Sequence, residues 1–396
     1  MLDARRHGGR LPSARDDRRR AHLALRAPSP GQVLSCAVDN AATRTRPRLG
    51  DYTTLRLGGP ASDMIAAATD EELIAAVGQR DEAGDRVLLL GGGSNLVIAD
   101  SGFAGTVIRI ATTGQQVSPP ADSAAVSIEV AAGEDWDAFV AGTIDAGYGG
   151  LECMSGIPGK VGATPIQNVG AYGWEVGEFL RWVRVYHRRT GEVLTLRPDE
   201  LGLGYRTSKF KGNDDAVVLR VCFALHADGA SQPVRYAELA RTLGVEIGAR
   251  LPAAAVREVV LGLRRGKGMV LDDDDHDTWS AGSFFTNPII SDSDASGVLA
   301  RISEVVGDDV AVPQYPATSG VKLSAAWLIE RAGFAKGHAG PGGRVALSSK
   351  HTLALTNRGA ASTEDLLTLA REVRDGVAAR FGVTLHPEPL LIGCAL

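Results

Sequence analysis

The segment from Ser155 to Gly173 places five glycines and two prolines in nineteen residues, around the run Ile166-Gln167-Asn168. Such a stretch cannot settle into a regular helix or strand. Glycine has no Cβ, so its main-chain N–H can approach a ligand directly and reach φ > 0, while proline fixes the turns between. The segment therefore reads as a preformed cradle for an anionic cofactor. The plainer alternative is a glycine-rich surface loop.

A second cradle lies upstream. Arg86-Val87-Leu88-Leu89-Leu90 has the character of a short strand, runs into Gly91-Gly92-Gly93-Ser94-Asn95, and is followed by Leu96-Val97-Ile98. A Rossmann dinucleotide fold needs a helix directly after its glycine turn, and here a second β-branched segment follows instead. The Walker phosphate loop is excluded as well. Lys160 is followed by Val161 where Ser or Thr is required, and Met154 stands where the loop's first glycine belongs.

Taken with Leu55-Arg56-Leu57-Gly58-Gly59-Pro60, the two glycine segments resemble the FAD-binding domain of the vanillyl-alcohol-oxidase (PCMH) type. Three further motifs narrow the resemblance to the UDP-N-acetylenolpyruvoylglucosamine reductase family, in the class with a tyrosine loop. They are Gly204-Tyr205-Arg206-Thr207-Ser208-Lys209-Phe210, Ala281-Gly282-Ser283-Phe284-Phe285-Thr286-Asn287-Pro288 and Leu385-His386-Pro387-Glu388-Pro389. The resemblance covers residues 48 to 394, and the order and spacing of the motifs agree with it. It implies an α+β fold: a two-lobed FAD-binding domain over 49–225 and a C-terminal α+β substrate-binding domain over 226–396.

The composition is compatible with this. At 396 residues, 44% apolar and 22% charged, the chain is long enough for two or three ordinary soluble domains. No apolar run approaches the eighteen residues of a membrane span. Cys36, Cys153, Cys222 and Cys394 are scattered, which indicates neither a disulfide framework nor a zinc site, so a reducing cytoplasm is the expected home. Residues 1–48 hold eleven arginines against four aspartates, a net +7 that leaves −12 on the remainder of a chain whose total is −5. That basic segment has no hydrophobic period and reads as a disordered, solvated extension rather than a nucleic-acid arm.

Local signals outline the rest. Thr69-Asp70-Glu71-Glu72 is a capping box for a helix stopping near Gly84, and an amphipathic stretch from Glu134 to Gly147 leads to the Ser155–Gly173 cradle. Strands are expected at 105–110, 125–130, 181–187, 192–196, 217–224, 351–355 and 390–392. Helices are expected from Lys322 to Glu330 and from a Ser362 cap to Gly382.

The resemblance implies a reaction as well. NADPH reduces noncovalently held FAD, and the enolpyruvyl double bond of UDP-N-acetylglucosamine enolpyruvate is then reduced to UDP-N-acetylmuramate for peptidoglycan synthesis. Arg206 matches the family's carboxylate-polarising arginine, Ser283 its proton donor and Glu388 its catalytic glutamate. Read on their own, these are equally a salt-bridge arginine, a turn serine and an exposed loop glutamate. By the same match, Arg56, Gly91, Gly92, Gly93, Ser94, Asn95, Ser155, Gly156, Ile157, Gly159, Gly162, Ala163, Gln167, Asn168, Gly170, Ala171 and Tyr172 hold FAD. Tyr205, Tyr236, Lys267 and Asn287 contact substrate. The acidic run Asp272–Asp275, with His276 and Asp277, lacks the glycine and terminal glutamate of a calcium loop, so no metal is expected. The expected partner is this small molecule, with no nucleic acid and no membrane span, acting on a monomer. Two other readings stay open: a different FAD oxidase of the same domain type, and a flavin- or nucleotide-binding module without catalysis.

Overall fold

The computed structural model describes residues 46–118, 125–317 and 320–396. The basic extension expected over 1–48 lies outside the described residues as far as residue 45. Pro47 and Arg48 already belong to the ordered body, since the Pro47 carbonyl accepts from Ala61 N–H at 2.9 Å and Arg48 bridges Pro60.

A three-stranded parallel sheet forms the first layer, in the order Ala61–Ala67, Phe103–Ile110, Val87–Leu90. The helix Asp70–Glu82 covers it. Thr69 caps that helix by accepting from Glu72 N–H, and Gly84 ends it at φ 70°. Leu73 and Val77, four residues apart on one helical face, pack on Ala67 and Ile108.

The second layer is a five-stranded antiparallel sheet in the order Glu192–Leu196, Leu180–His187, Ala216–His226, Ala125–Ala131, Gln115–Ser118. Alternate residues of its central strands, among them Val126, Ile128, Val183 and Val185, face the helix Trp136–Asp145 and its Trp136, Phe139 and Val140. Each fully buried side chain of this size contributes about 1.5–3 kcal/mol. The helices Ala237–Leu243 and Ala253–Gly266 add Leu239, Val256 and Val260 to this same core. The hydrophobic cores therefore divide beyond Gly266 rather than at residue 226, because the apolar faces of those two helices find their partners in the preceding sheet.

A further core surrounds the helix Thr363–Phe381, whose Leu366, Leu369, Ala370, Val373, Val377 and Phe381 recur at three- and four-residue steps. Ser362 caps it and Gly382 stops it, as its sequence signals require. Two local expectations are corrected. Lys322 and Leu323 lie in a strand, Val321–Leu323, paired with Ile289–Ile290 and Gln314–Pro316, and the helix begins only at Ala325, where the Ser324 hydroxyl accepts from Trp327 N–H. Residues 351–354 form a turn, because Ser348 Oγ accepts from both Lys350 and His351 N–H. The strand is Leu355–Asn357, antiparallel to Val345–Leu347.

The C-terminal strand Leu390–Ile392 runs back and pairs in parallel with Leu96–Ile98, directly after the first glycine cradle. This pairing delivers the loop before it to the first glycine cradle.

Candidate active site

The two glycine cradles lie back to back. A Cβ added to Gly92 would stand 2.7 Å from the Gly159 Cα, and one added to Gly93 would meet the Tyr52 carbonyl at 2.0 Å. Only glycine permits either approach. Among the described residues, the N–H groups of Gly92, Gly93, Ser94 and Asn95 make no hydrogen bond to protein. A row of free N–H groups on a turn is a binding surface for anionic oxygen.

Between the cradles and the C-terminal part lies a cavity of about 330 Å³. Gly91 to Asn95, Ile157, Gly159, Gly162, Ala163, Gln167, Gly170, Arg206, Ser283 and Glu388 all line it. Residues named from motifs as far apart as 91 and 388 thus share one room. A second, larger cleft of about 1030 Å³ shares Gly91, Gly92 and Lys160 with the first and has Arg56, Tyr52 and Trp279 on its walls. The two rooms together give an elongated trough suited to a dinucleotide.

Sheet register sets the innermost polar group. Leu390 N–H donates to the Asn95 carbonyl at 3.0 Å and Glu388 N–H to the Phe284 carbonyl at 2.9 Å, so the Pro387-Glu388-Pro389 loop is fixed at both ends. Glu388 Oε1 then lies 3.4 Å from Arg206 Nε and 3.5 Å from Gln167 Nε2, while Asn95 Nδ2 donates to Gln167 Oε1 at 2.6 Å. Burial pushes the Glu388 carboxyl above its ordinary pKa, against the opposing pull of Arg206 and Lys211. Arg206 is itself held by a bond from Nη2 to the Gly170 carbonyl, 2.7 Å, and adopts φ 54°.

Ser283 follows Gly282, at φ 74°, and lines the same cavity. Beside it Phe284 and Phe285 are almost wholly buried, with rings meeting edge to face at 5.1 Å. Tyr205 and Asn287 come together next to Arg206, with Asn287 Nδ2 3.4 Å from the Tyr205 hydroxyl, and Lys322 Nζ stands 4.4 Å from the Tyr205 ring centre. Tyr236 caps the helix Ala237–Leu243 and meets Tyr172 edge to face at 5.6 Å, while Lys267 Nζ bonds to Glu238 Oε2 at 2.5 Å.

Other expected residues turn inward. Ser155 is fully buried and donates to the Glu152 carbonyl. Asn168 ties the cradle to itself, donating to Glu175 and the Gly204 carbonyl and accepting from Gly177 N–H. The Gly156 N–H is taken by Asp137, which Arg257 grips with two bonds. The acidic run is neutralised from elsewhere in the chain: Asp273 by Arg56, Asp275 by Lys350 and Asp277 by Arg358 and Ser349.

Sequence reasoning missed two cations. Arg264 borders the cavity, donates to the Met269 and Gly156 carbonyls, and has a buried Nε with no partner. Burial drops its pKa to about 10, with Tyr172 and Asp137 pulling the other way. Its signal was its place one helical turn before Lys267, on the same face. Lys211 Nζ donates to the Arg206 carbonyl, and burial lowers its pKa. Nothing periodic marks it in the sequence.

A flavin fits the residues present: free N–H groups on a glycine turn, an elongated trough, and an orphaned guanidinium N–H at the cavity wall. The comparisons with known proteins agree. The FAD binding domain family matches residues 61–197, and the C-terminal domain of UDP-N-acetylenolpyruvoylglucosamine reductase matches residues 274–392. The UDP-N-acetylenolpyruvoylglucosamine reductase of Saccharopolyspora erythraea is 63% identical over 359 residues, covering 90% of this chain and 98% of that one. The chain belongs to the UDP-N-acetylenolpyruvoylglucosamine reductase family.

The Nocardia farcinica reductase is 57% identical, covering 90% of this chain and 91% of its own. The crystal structure of the Thermus caldophilus reductase superposes with a TM-score of 0.59 at 26% identity, covering 88% of this chain and 98% of that one. The protein is accordingly a flavin-dependent oxidoreductase with the family's α+β fold and an FAD-binding domain. No helix among the described residues is long and apolar enough to cross a membrane.

Proposed function

We propose that this protein uses NADPH and FAD to reduce UDP-N-acetylglucosamine enolpyruvate to UDP-N-acetylmuramate, a cytoplasmic step of peptidoglycan synthesis that serves cell shape and division. The observation that carries the reading is the single cavity lined by both glycine cradles, Arg206, Ser283 and Glu388. When bound, FAD takes a hydride from the nicotinamide and gives it to the substrate. The adenosine and diphosphate would lie along Arg56 and Gly91 to Asn95, and the flavin ring between Ile157, Gly159, Gly162, Ala163 and Gln167. The protein is read as acting as a monomer.

The remaining chemistry belongs to side chains. Hydride added to the methylene carbon leaves charge on the carboxylate and the adjoining carbon, and a planar guanidinium answers both carboxylate oxygens. That is the role of Arg206, whose freedom is removed by Gly170 and Glu388. Ser283 then delivers the proton to the neighbouring carbon, so one hydride and one proton saturate the double bond. Glu388, with its raised pKa, supplies a hydrogen bond to the charge developing beside Arg206. Tyr205, Asn287, Tyr236 and Lys267 bind the sugar nucleotide, the lysine exchanging Glu238 for a phosphate. Residues on either side of the trough divide the labour, with flavin held mainly before residue 226 and substrate mainly after it.

The test is Ser283→Ala followed by stopped-flow flavin absorbance. Bleaching by NADPH should stay near the wild-type rate, while return of the yellow colour on adding the enolpyruvyl sugar should slow by about 10² to 10⁴. Equal slowing of both phases would show that Ser283 shapes the pocket, and no slowing of either would remove it as the acid.

A further inference from the structure

The outer room of the trough is lined by more cations than carboxylates, with Asp51 and Asp273 as its acidic residues. Arg48, Arg56, Arg109 and Lys160 all line it. Arg56 is neutralised by Asp273 and lies over the Trp279 ring at 4.1 Å. Arg48 and Arg109 have no carboxylate partner among the described residues, and Lys160 Nζ reaches Asp135 only at 4.0 Å, the outer limit of an ion pair. Unmatched cations converging on a concave surface focus positive potential there, even on a body whose net charge is negative.

Backbone register places two of them at one spot. Arg109 pairs opposite Leu90 in the parallel sheet, level with the start of the first glycine turn. A Cβ on Gly91 would stand 3.7 Å from Lys160 Cβ and Cγ, so the lysine stem runs beside that turn. The free N–H groups of Gly92 to Asn95 follow immediately. An anion seated on the turn therefore has a guanidinium and an ammonium beside it. It lies at the junction where the inner cavity of about 330 Å³ opens into the outer room of about 1030 Å³.

We propose that Arg109 and Lys160 grip the diphosphate of the bound dinucleotide at the Gly91–Asn95 turn, and so make this protein select FAD over flavins that lack the diphosphate. The proposal rests on the flavin reading above and adds two side chains that the family resemblance did not assign to FAD. Arg109 lines only the outer room and Lys160 stands where the two rooms meet, and the roles proposed for hydride and proton transfer fall to other residues, so the two cations act on affinity and positioning. Charge-assisted contacts to phosphate are the stronger class of hydrogen bond, and they weaken with salt.

The experiment uses the full-length chain freed of flavin, and follows quenching of flavin fluorescence on adding FAD or riboflavin. In the variant carrying Arg109→Gln and Lys160→Gln, the FAD dissociation constant should rise by at least about tenfold at low salt, the loss expected for one or two charge-assisted contacts. Its dependence on salt should flatten. Riboflavin, which has no phosphate, should bind variant and wild type within about twofold. The charge-keeping variant Arg109→Lys should recover much of the FAD affinity, which separates loss of charge from damage to the fold. Unchanged FAD affinity in the double variant, or parallel weakening of FAD and riboflavin, would overturn the proposal. Wild-type protein that prefers neither flavin over the other would overturn it too. Wild-type protein that binds neither would remove the flavin reading itself, and the proposal with it.

Discussion

Replacing Glu388 by glutamine should cost the protein activity and gain it stability. The carboxyl is 13% exposed and stands 3.4 Å from Arg206 Nε. At an effective dielectric constant of about 20, a pair at that separation attracts by about 5 kcal/mol. The Glu388 pKa is nonetheless raised, so desolvation outweighs the attraction of Arg206 and Lys211. A carboxyl whose folded pKa exceeds its unfolded one binds its proton more tightly in the folded state. The stability it contributes is whole below the unfolded value of about 4.3 and drains away as pH rises through the folded value, at about 1.4 kcal/mol per unit of difference. Glutamine has the shape of the protonated form and cannot ionise. Glu388→Gln should therefore match wild type near pH 4 and melt above it at pH 8, by about 2 °C or more for each kcal/mol recovered. Turnover should fall by about 10² to 10⁴ at the same time. Thermal melts of both proteins at half-unit steps from pH 4 to 8.5, beside NADPH oxidation with the enolpyruvyl sugar, read both quantities. A variant that melts well below wild type at pH 8 would refute the reasoning, because it would make the Arg206–Glu388 pair a net stabilising one.

Two further outcomes follow from the site. The flavin should be held without a covalent link, because burial pushes the Cys153 and Cys222 thiols to about 12 and 11 and no cysteine or histidine lines the inner cavity. Acid precipitation should leave all the yellow colour in the supernatant, and colour in the pellet would contradict this. Arg206 holds φ 54°, a conformation that costs a residue with a Cβ about 1–2 kcal/mol and costs glycine little. Arg206→Gly should accordingly melt above Arg206→Ala although both lose the guanidinium, and the reverse order would show that the backbone there is unstrained.

Much of the site was legible because its demands are steric. Gly92 and Gly93 cannot carry a Cβ against Gly159 and Tyr52, and that requirement is written directly as glycine. Helix ends were equally plain at Thr69, Ser362 and Gly382, where one side-chain oxygen or one left-handed residue decides the boundary. What the sequence hid depends on distant partners. The strand Val321–Leu323 exists because Ile289 and Tyr315 flank it, and local propensity alone favours extending the following helix through Lys322. The helices Ala237–Leu243 and Ala253–Gly266 declare their apolar faces but not which core receives them. Arg264 belongs to no motif, and beyond its place one helical turn before Lys267 only its unpartnered Nε at the cavity wall marks it.

Strain gives the reason these particular residues are gathered where they are. Among the described residues, the non-glycines with positive φ are Arg56, Asn168, Tyr172 and Arg206. All four were named from motifs, and all four stand on the trough or on the loops that form its walls. Such conformations persist only where the surroundings over-determine them. Around Arg206 the surroundings are specific: Gly204 and Thr207 close a tight turn with two backbone bonds, Lys211 takes the Arg206 carbonyl, and Gly170 and Glu388 take its guanidinium. Glu388 in turn owes its place to the register of Leu390–Ile392 against Leu96–Ile98, where a slip of one residue would turn every side chain of the strand to the other face. The strained arginine and the desolvated glutamate are thus fixed from opposite ends of the chain. Loosening either the turn or the strand releases both, and for that reason substitutions at Leu391 or Val97, each next in the chain to a cavity-lining residue and packed in the core, should lower activity together with stability, read by NADPH oxidation beside a thermal melt.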